Sequence, residues 1–100
     1  MNPKARLKKG KRVKEWAKAR AKLKGVYLDK GIITCEARLD GCMGTFGLSF
    51  HHRHKRIWYY TNKGLGDFKE TILVCANCHD RLEGDKQLTK KVFDNERSGN

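Results

Sequence analysis

Eight residues of this chain, four cysteines and four histidines, can bind metal ions or exchange protons near neutral pH, and all fall between positions 35 and 79. Cys75 and Cys78 are two residues apart, and Cys35 and Cys42 form a wider pair with six residues between them. Two cysteine pairs from separated segments are the usual way to surround a tetrahedral zinc ion, although the wider spacing says little on its own. Disulfides or free core thiols are the alternatives for the same four residues. Between the pairs stands His51-His52-Arg53-His54, and His79 follows Cys78 directly. On a strand His52 and His54 share one face while His51 points the other way, so one ring can hold a metal while its neighbour faces a substrate if the strand end twists. On a helix His79 and Glu83 share a face at i, i+4. The plainer alternatives are histidines satisfied by strand neighbours, His79 as a helix-start residue or substitute zinc ligand, and Glu83 as a solvated carboxylate.

The frame that must position these groups is small. One hundred residues allow a single domain, and a hydrophobic share of 38% leaves it a thin core. Such chains need a staple, which the cysteines supply as a zinc site or as disulfides. The longest apolar run is Ile72-Leu73-Val74-Cys75-Ala76, too short for a signal peptide core or a membrane span. The expectation is a cytoplasmic protein in a reducing compartment, without a membrane partner, where paired cysteines more often hold metal than oxidise.

The net charge of +12 points to a polyanionic partner, and its distribution is informative. Residues 1–30 hold 12 Lys and Arg against 2 Asp and Glu, and the rest hold 11 against 9. The excess is therefore an N-terminal basic arm, residues 1–25, on a nearly neutral domain spanning 26–100. Met1 to Gly10 reads as a flexible tail. From Lys11 to Lys24 a helical period places Val13, Trp16, Ala17 and Leu23 on one face, with Gly25 as C-cap. Lys11, Arg12, Lys14, Lys18, Arg20 and Lys22 populate the remainder and are expected to contact phosphates.

Val26 to Thr34 suggests a turn or short hairpin. Cys35 to Cys42 is a loop, Leu48 to the histidines a strand, and Thr71 to Val74 a second strand. A basic, aromatic connection from Lys55 to Lys69 holds Trp58, Tyr59 and Tyr60, which could stack on bases or pack over the core. Cys78 to Glu83 is expected as a helix stopping at Gly84, and Lys86 to Arg97 as a terminal helix fraying into residues 98–100.

In the order of these pieces the chain resembles the HNH endonucleases of the ββα-metal superfamily. The shared pattern is a cysteine pair, His51-His52 on a first strand, Ile72-Leu73-Val74 on a second, then Cys75-Ala-Asn-Cys78-His79 opening a helix. The resemblance covers roughly residues 27–84, and Lys11 to Lys24 is similar to the basic, tryptophan-containing helix that often precedes it. It implies an α+β, zinc-stapled ββα-metal domain with a basic N-terminal helix and a C-terminal helix, hydrolysing DNA phosphodiester bonds. It further implies His51 and His79 as ligands of a catalytic divalent ion, with Glu83 at the i+4 position where many members carry a further histidine. His52 would be the general base, and Cys35, Cys42, Cys75 and Cys78 would hold a separate structural zinc. A mixed carboxylate–imidazole set suits Mg²⁺, Mn²⁺, Ni²⁺ or Zn²⁺ without choosing among them.

This sequence departs from the family pattern at the central Asn, whose place nine residues before His79 is taken by Glu70. A carboxylate there is expected to accept the His52 N–H and to raise that ring's pKa. Arg53, His54, Lys55 and Arg56 are expected on the nucleic acid. Double-stranded DNA is the implied partner, with a larger phage DNA-processing complex as a further expectation. A non-catalytic zinc module that binds nucleic acid, or docks on a larger machine, is the alternative function.

Overall fold

A lysine-, alanine- and leucine-rich stretch without proline favours helix. The computed structural model, which describes residues 9–97, forms one long helix there, α1, from Lys9 to Asp29. The tail expected at Met1–Gly10 falls mostly outside the described residues, and its last two residues are helical. Gly25 does not cap this helix. A mid-helix glycine costs about 1 kcal/mol relative to alanine, and burial of Leu23 and Tyr27 on either side offsets it. The helix ends instead at Gly31, whose φ of +73° is the left-handed geometry a cap needs. There the Gly31 N–H donates to Leu28 O and the Ile32 N–H to Tyr27 O, the paired bonds of a Schellman motif. Ile32 then packs against Tyr27. The turn or hairpin expected from Val26 is thus the last helical turn and its cap. The inward stripe is also rotated from the expected one: Arg12, Trp16, Ala19, Leu23 and Tyr27 face inward, whereas Val13 and Ala17 are exposed.

β1 (Ser49–His52) and β2 (Thr71–Val74) pair antiparallel, with His51 opposite Ile72 and His52 opposite Thr71. The connection between them carries short 3-10 turns at Arg56–Tyr60 and Phe68–Glu70. α2 (Ala76–Glu83) and α3 (Lys86–Arg97) follow, completing an α+β arrangement of three α-helices and one two-stranded sheet among the described residues. All four residues of β2 are buried because each sheet face is covered. One face carries Leu73 and Phe50 against Leu23 and Tyr27 of α1. The other carries Ile72 and Val74 with the cysteines, Leu82, Val92 and Phe93.

One buried ion pair ties these layers together. Arg97 donates to both carboxylate oxygens of Glu36, at 2.7 and 2.8 Å, and also to the Tyr27 hydroxyl and the carbonyls of Phe68 and Thr71. Glu36 in turn accepts from the Leu73 N–H at 2.8 Å, while its own N–H donates to Leu73 O. The last turn of α3, the cysteine loop, β2 and α1 therefore meet at one charge pair. Removing one partner of such a pair strands the other in a low-dielectric site. Glu36→Ala should lower the unfolding free energy by about 3–5 kcal/mol, read by urea titration. Lys90→Ala, which breaks the exposed Lys90–Asp94 pair, should change it by under about 0.5 kcal/mol.

Candidate metal centres

The β2–α2 junction is built by Cys75. It leaves the strand in extended geometry, caps α2, and its sulfur accepts from the Cys78 N–H. Cys35 and Cys42 arrive from the loop that pairs with this junction through Ala76 N–H to Phe46 O. The four sulfurs lie within 4.8 Å of one another, and the Cys42–Cys75 separation is 4.0 Å. Tetrahedral zinc with bonds near 2.3 Å puts its sulfurs about 3.8 Å apart, so the cluster fits the ion with a small contraction. The four thiols are not disulfide-bonded. Backbone N–H groups of Met43 and Gly44 point at Cys75 and Cys42 sulfurs, as thiolates require. Burial pushes the Cys75 thiol up, but the donated N–H bonds from Met43 and Cys78 outweigh it and bring it down to about 6. Burial pushes the neighbouring Cys78 thiol up to about 12. The N–H bonds thus favour a thiolate at Cys75. A divalent ion supplies the counter-charge for the rest. Donor set, spacing and N–H bonding suit a structural zinc.

His79, the residue after Cys78, belongs to a second group of possible ligands rather than to the sulfur cluster. Its Nδ1 meets Ser49 Oγ at 2.8 Å and its Nε2 lies 3.1 Å from Glu83 Oε1. His51, on the same sheet face as Ser49, brings its ring to 5.1 Å from that of His79. His51, His79 and Glu83 each present a possible ligand atom within 4.8 Å of one another. His51 is only 9% exposed. Burial, then the nearby His79, lower its pKa to about 4, so the ring is a neutral, lone-pair-bearing imidazole at physiological pH. The expected trio is thus brought together.

His52 occupies the other face of β1, between Trp16 and Tyr59, at ring separations of 5.3 and 5.1 Å. Its Nε2 is 2.8 Å from Leu65 O. A carbonyl can only accept, so Nε2 bears the proton and Nδ1 keeps the lone pair. The partner expected for this ring, Glu70, is engaged elsewhere. Its carboxylate accepts from Tyr59 Oη at 2.9 Å and faces Arg53 at 3.5 Å. The expected rise in the His52 pKa is also reversed. Burial lowers it, and neither the Leu65 carbonyl nor the more distant Glu70 charge restores it. A buried ring loses more by shedding water than a carboxylate engaged by other donors returns.

The residues expected on nucleic acid divide by position. Lys11, Lys14, Lys18, Arg20 and Lys22 are exposed along α1, whereas Arg12 is half-buried. Arg53 lies over the Phe93 ring and Arg56 over Trp16. His54 lies beyond β1 and stacks on Trp58 at 4.3 Å, while Lys55 is exposed. The aromatic trio separates: Tyr59 is buried, Tyr60 donates to Arg12 O, and Trp58 stays 41% exposed. Base stacking and core packing were alternatives for the whole group, and burial assigns only Tyr59 to the core. Ser49, Leu65 and Tyr59 were missed as supports of the site. Ser49 and Leu65 act through a single hydroxyl and a backbone carbonyl, which carry no distinctive pattern. No helix of the described residues is long and apolar enough to cross a membrane.

No protein-family model, no curated protein and no solved structure matches the chain. The thiol cluster leads to a direct test. The purified protein should contain one zinc per chain, and its removal by a chelator should abolish the cooperative melting transition, because structural zinc contributes more than a thin core can replace. Cys78→Ser should lose the ion, whereas His79→Ala should keep it. An unchanged far-UV spectrum and melting temperature after chelation would rule the cluster out as a zinc site.

Proposed function

We propose that this protein is a metal-dependent endonuclease of the HNH type that hydrolyses phosphodiester bonds in DNA. The observation that carries the proposal is the convergence of His51, His79 and Glu83 where β1 meets α2, as a group separate from the four sulfurs. In this account His51 and His79, with Glu83, would hold one divalent ion, which when bound would supply Lewis acidity to the scissile phosphate and the leaving oxygen. His52 takes the proton from the attacking water at Nδ1, because its Nε2–H is committed to Leu65 O. Arg53, steadied by Glu70 and Phe93, lies next to this pair in sequence and adds positive charge near the substrate phosphate. The basic face of α1 supplies phosphate affinity that salt weakens.

A non-catalytic zinc module that holds nucleic acid is the second possibility, favoured by Glu70 being tied to Tyr59 and Arg53 rather than His52. Incubation of supercoiled plasmid with Mg²⁺, Mn²⁺, Ni²⁺ or Zn²⁺ separates the two. The nuclease account expects cleavage with at least one ion and a loss of about 10²-fold or more in His52→Ala, the usual contribution of a general base. Equal rates would remove His52 from that role, and DNA binding without cleavage under every ion would favour the module.

The pH dependence has a definite sign. A base works in its neutral form, and burial depresses the His52 pKa. The acid limb of kcat/KM should therefore lie below the ordinary imidazole value of about 6.5, with a plateau through neutral pH. Glu70→Gln, by removing a charge that raises this pKa, should move the limb lower still.

A further inference from the structure

We propose that the cleft between α1 and the turn at residues 56–60 is a nucleotide subsite, which takes one unpaired base against an apolar wall and the adjoining phosphate between Arg12 and Arg56. The proposal rests on the nucleic-acid side of the proposed function and does not require cleavage.

The cleft measures about 430 Å³ and is lined by Arg12, Val13, Trp16, Arg56, Ile57 and Tyr60. That lies within the range of small-molecule sites, roughly 300–1,000 Å³. Its chemistry is two guanidinium groups at the edge of an aliphatic and aromatic wall, with no carboxylate. A flat ring that carries a negative charge fits this combination, and arginines beside aromatic rings recur wherever single strands are held.

Three further observations point to an occupant. Arg12 Nε is buried with no hydrogen-bond partner, and among the described residues neither Arg12 nor Arg56 has a carboxylate to neutralise it. A phosphate in the cleft would supply the missing counter-charge. Arg56 Cζ lies 4.8 Å from the Trp16 ring centre, so a guanidinium and an indole already meet at the cleft, the pair of groups on which unstacked bases are held. Val13 is 62% exposed beside these charges, an apolar side chain that nothing in the described structure covers.

Trp16 also meets His52 edge-on at 5.3 Å. An occupant of the cleft thus lies one ring away from the proposed base, and a nucleotide held there would set the register of the strand at the cleavage site. Because the base must be unstacked to enter, the subsite favours single-stranded, bulged or junction DNA over uninterrupted duplex.

The chain has two tryptophans, so Trp58→Phe leaves Trp16 as the sole reporter. Zinc-loaded protein with this substitution is titrated, without other divalent ions, with an eight-residue thymidine oligonucleotide and with an abasic oligonucleotide of equal length and charge. The thymidine strand should quench Trp16 emission and bind about tenfold tighter, the worth of roughly one stacked base. Val13→Asn, an exposed and neutral change, should cut that preference several-fold while leaving abasic affinity within about twofold. Arg56→Gln should weaken both ligands. Equal affinity for the two oligonucleotides, or a preference that survives both substitutions, would overturn the subsite. An acidic peptide that quenches Trp16 more strongly than the thymidine strand would also overturn it. Plasmid cleavage is scored separately: a protein that cleaves but ignores the base loses only the subsite. One that selects the base but never cleaves loses only the nuclease.

Discussion

The convergence of four thiols on the point where β2 becomes α2 is the constraint from which the remaining geometry follows. Cys75 ends the strand, caps the helix and contributes a sulfur, and Cys78 contributes another from the first turn. Successive residues on a helix diverge by about 100°, so with Cys78 held against the sulfur cluster, His79 must project to another side. There it meets Ser49 and Glu83. A bound ion would therefore fix the orientation of the His79 ring as well as the loop carrying Cys35 and Cys42. Ala37 and Leu39 of that loop also pack against the core. The Glu36–Arg97 pair complements the cluster by binding the same loop to the end of α3 and to α1.

The sheet divides the chemistry between two sides. Because strand residues alternate, His51 faces α2 and α3 while His52 faces α1 and Tyr59. A slip of one residue in the β1–β2 register would exchange them, which is a reason for both faces of β2 to be closely packed. Burial makes both rings poor bases, and that suits two different ends. For both rings it favours the neutral form, which leaves His51 the lone pair a metal ligand would need and His52 the one a proton acceptor would need. Neither ring owes its orientation to Glu70, whose carboxylate steadies Tyr59 and Arg53 instead.

Much of this was legible wherever local pattern and tertiary packing agree. α3 runs over the expected residues because Leu88, Val92 and Phe93 form an unbroken apolar stripe. The two strands follow from apolar–polar alternation in β1 and the β-branched run of β2, whereas α2 begins at Ala76 rather than at the expected Cys78 because Cys75 caps it. α1 was misjudged because Gly25 resembles a stop signal. What carries the helix past it is the burial of Tyr27 against β2, a long-range contact that no local window contains. The same blindness hid the Arg97–Glu36 pair, which joins distant parts of the chain. It also hid the Leu65 carbonyl, since every residue type offers one. The cysteine and histidine groups were legible because their side chains have few uses that require such clustering. The sequence order of family-like pieces suggested a function. The structure adds that His51, His79 and Glu83 present possible ligand atoms within 4.8 Å of one another.

The central claim is that the start of α2 serves two separate metal sites. Crystals grown with zinc alone, then soaked in Mn²⁺, test it through anomalous difference maps on either side of the manganese and zinc absorption edges. The account predicts zinc among Cys35, Cys42, Cys75 and Cys78, and a distinct manganese bonded by His51 and His79 on the Glu83 side of the helix. No manganese at those histidines, or a single ion shared between His79 and the cysteines, would contradict it.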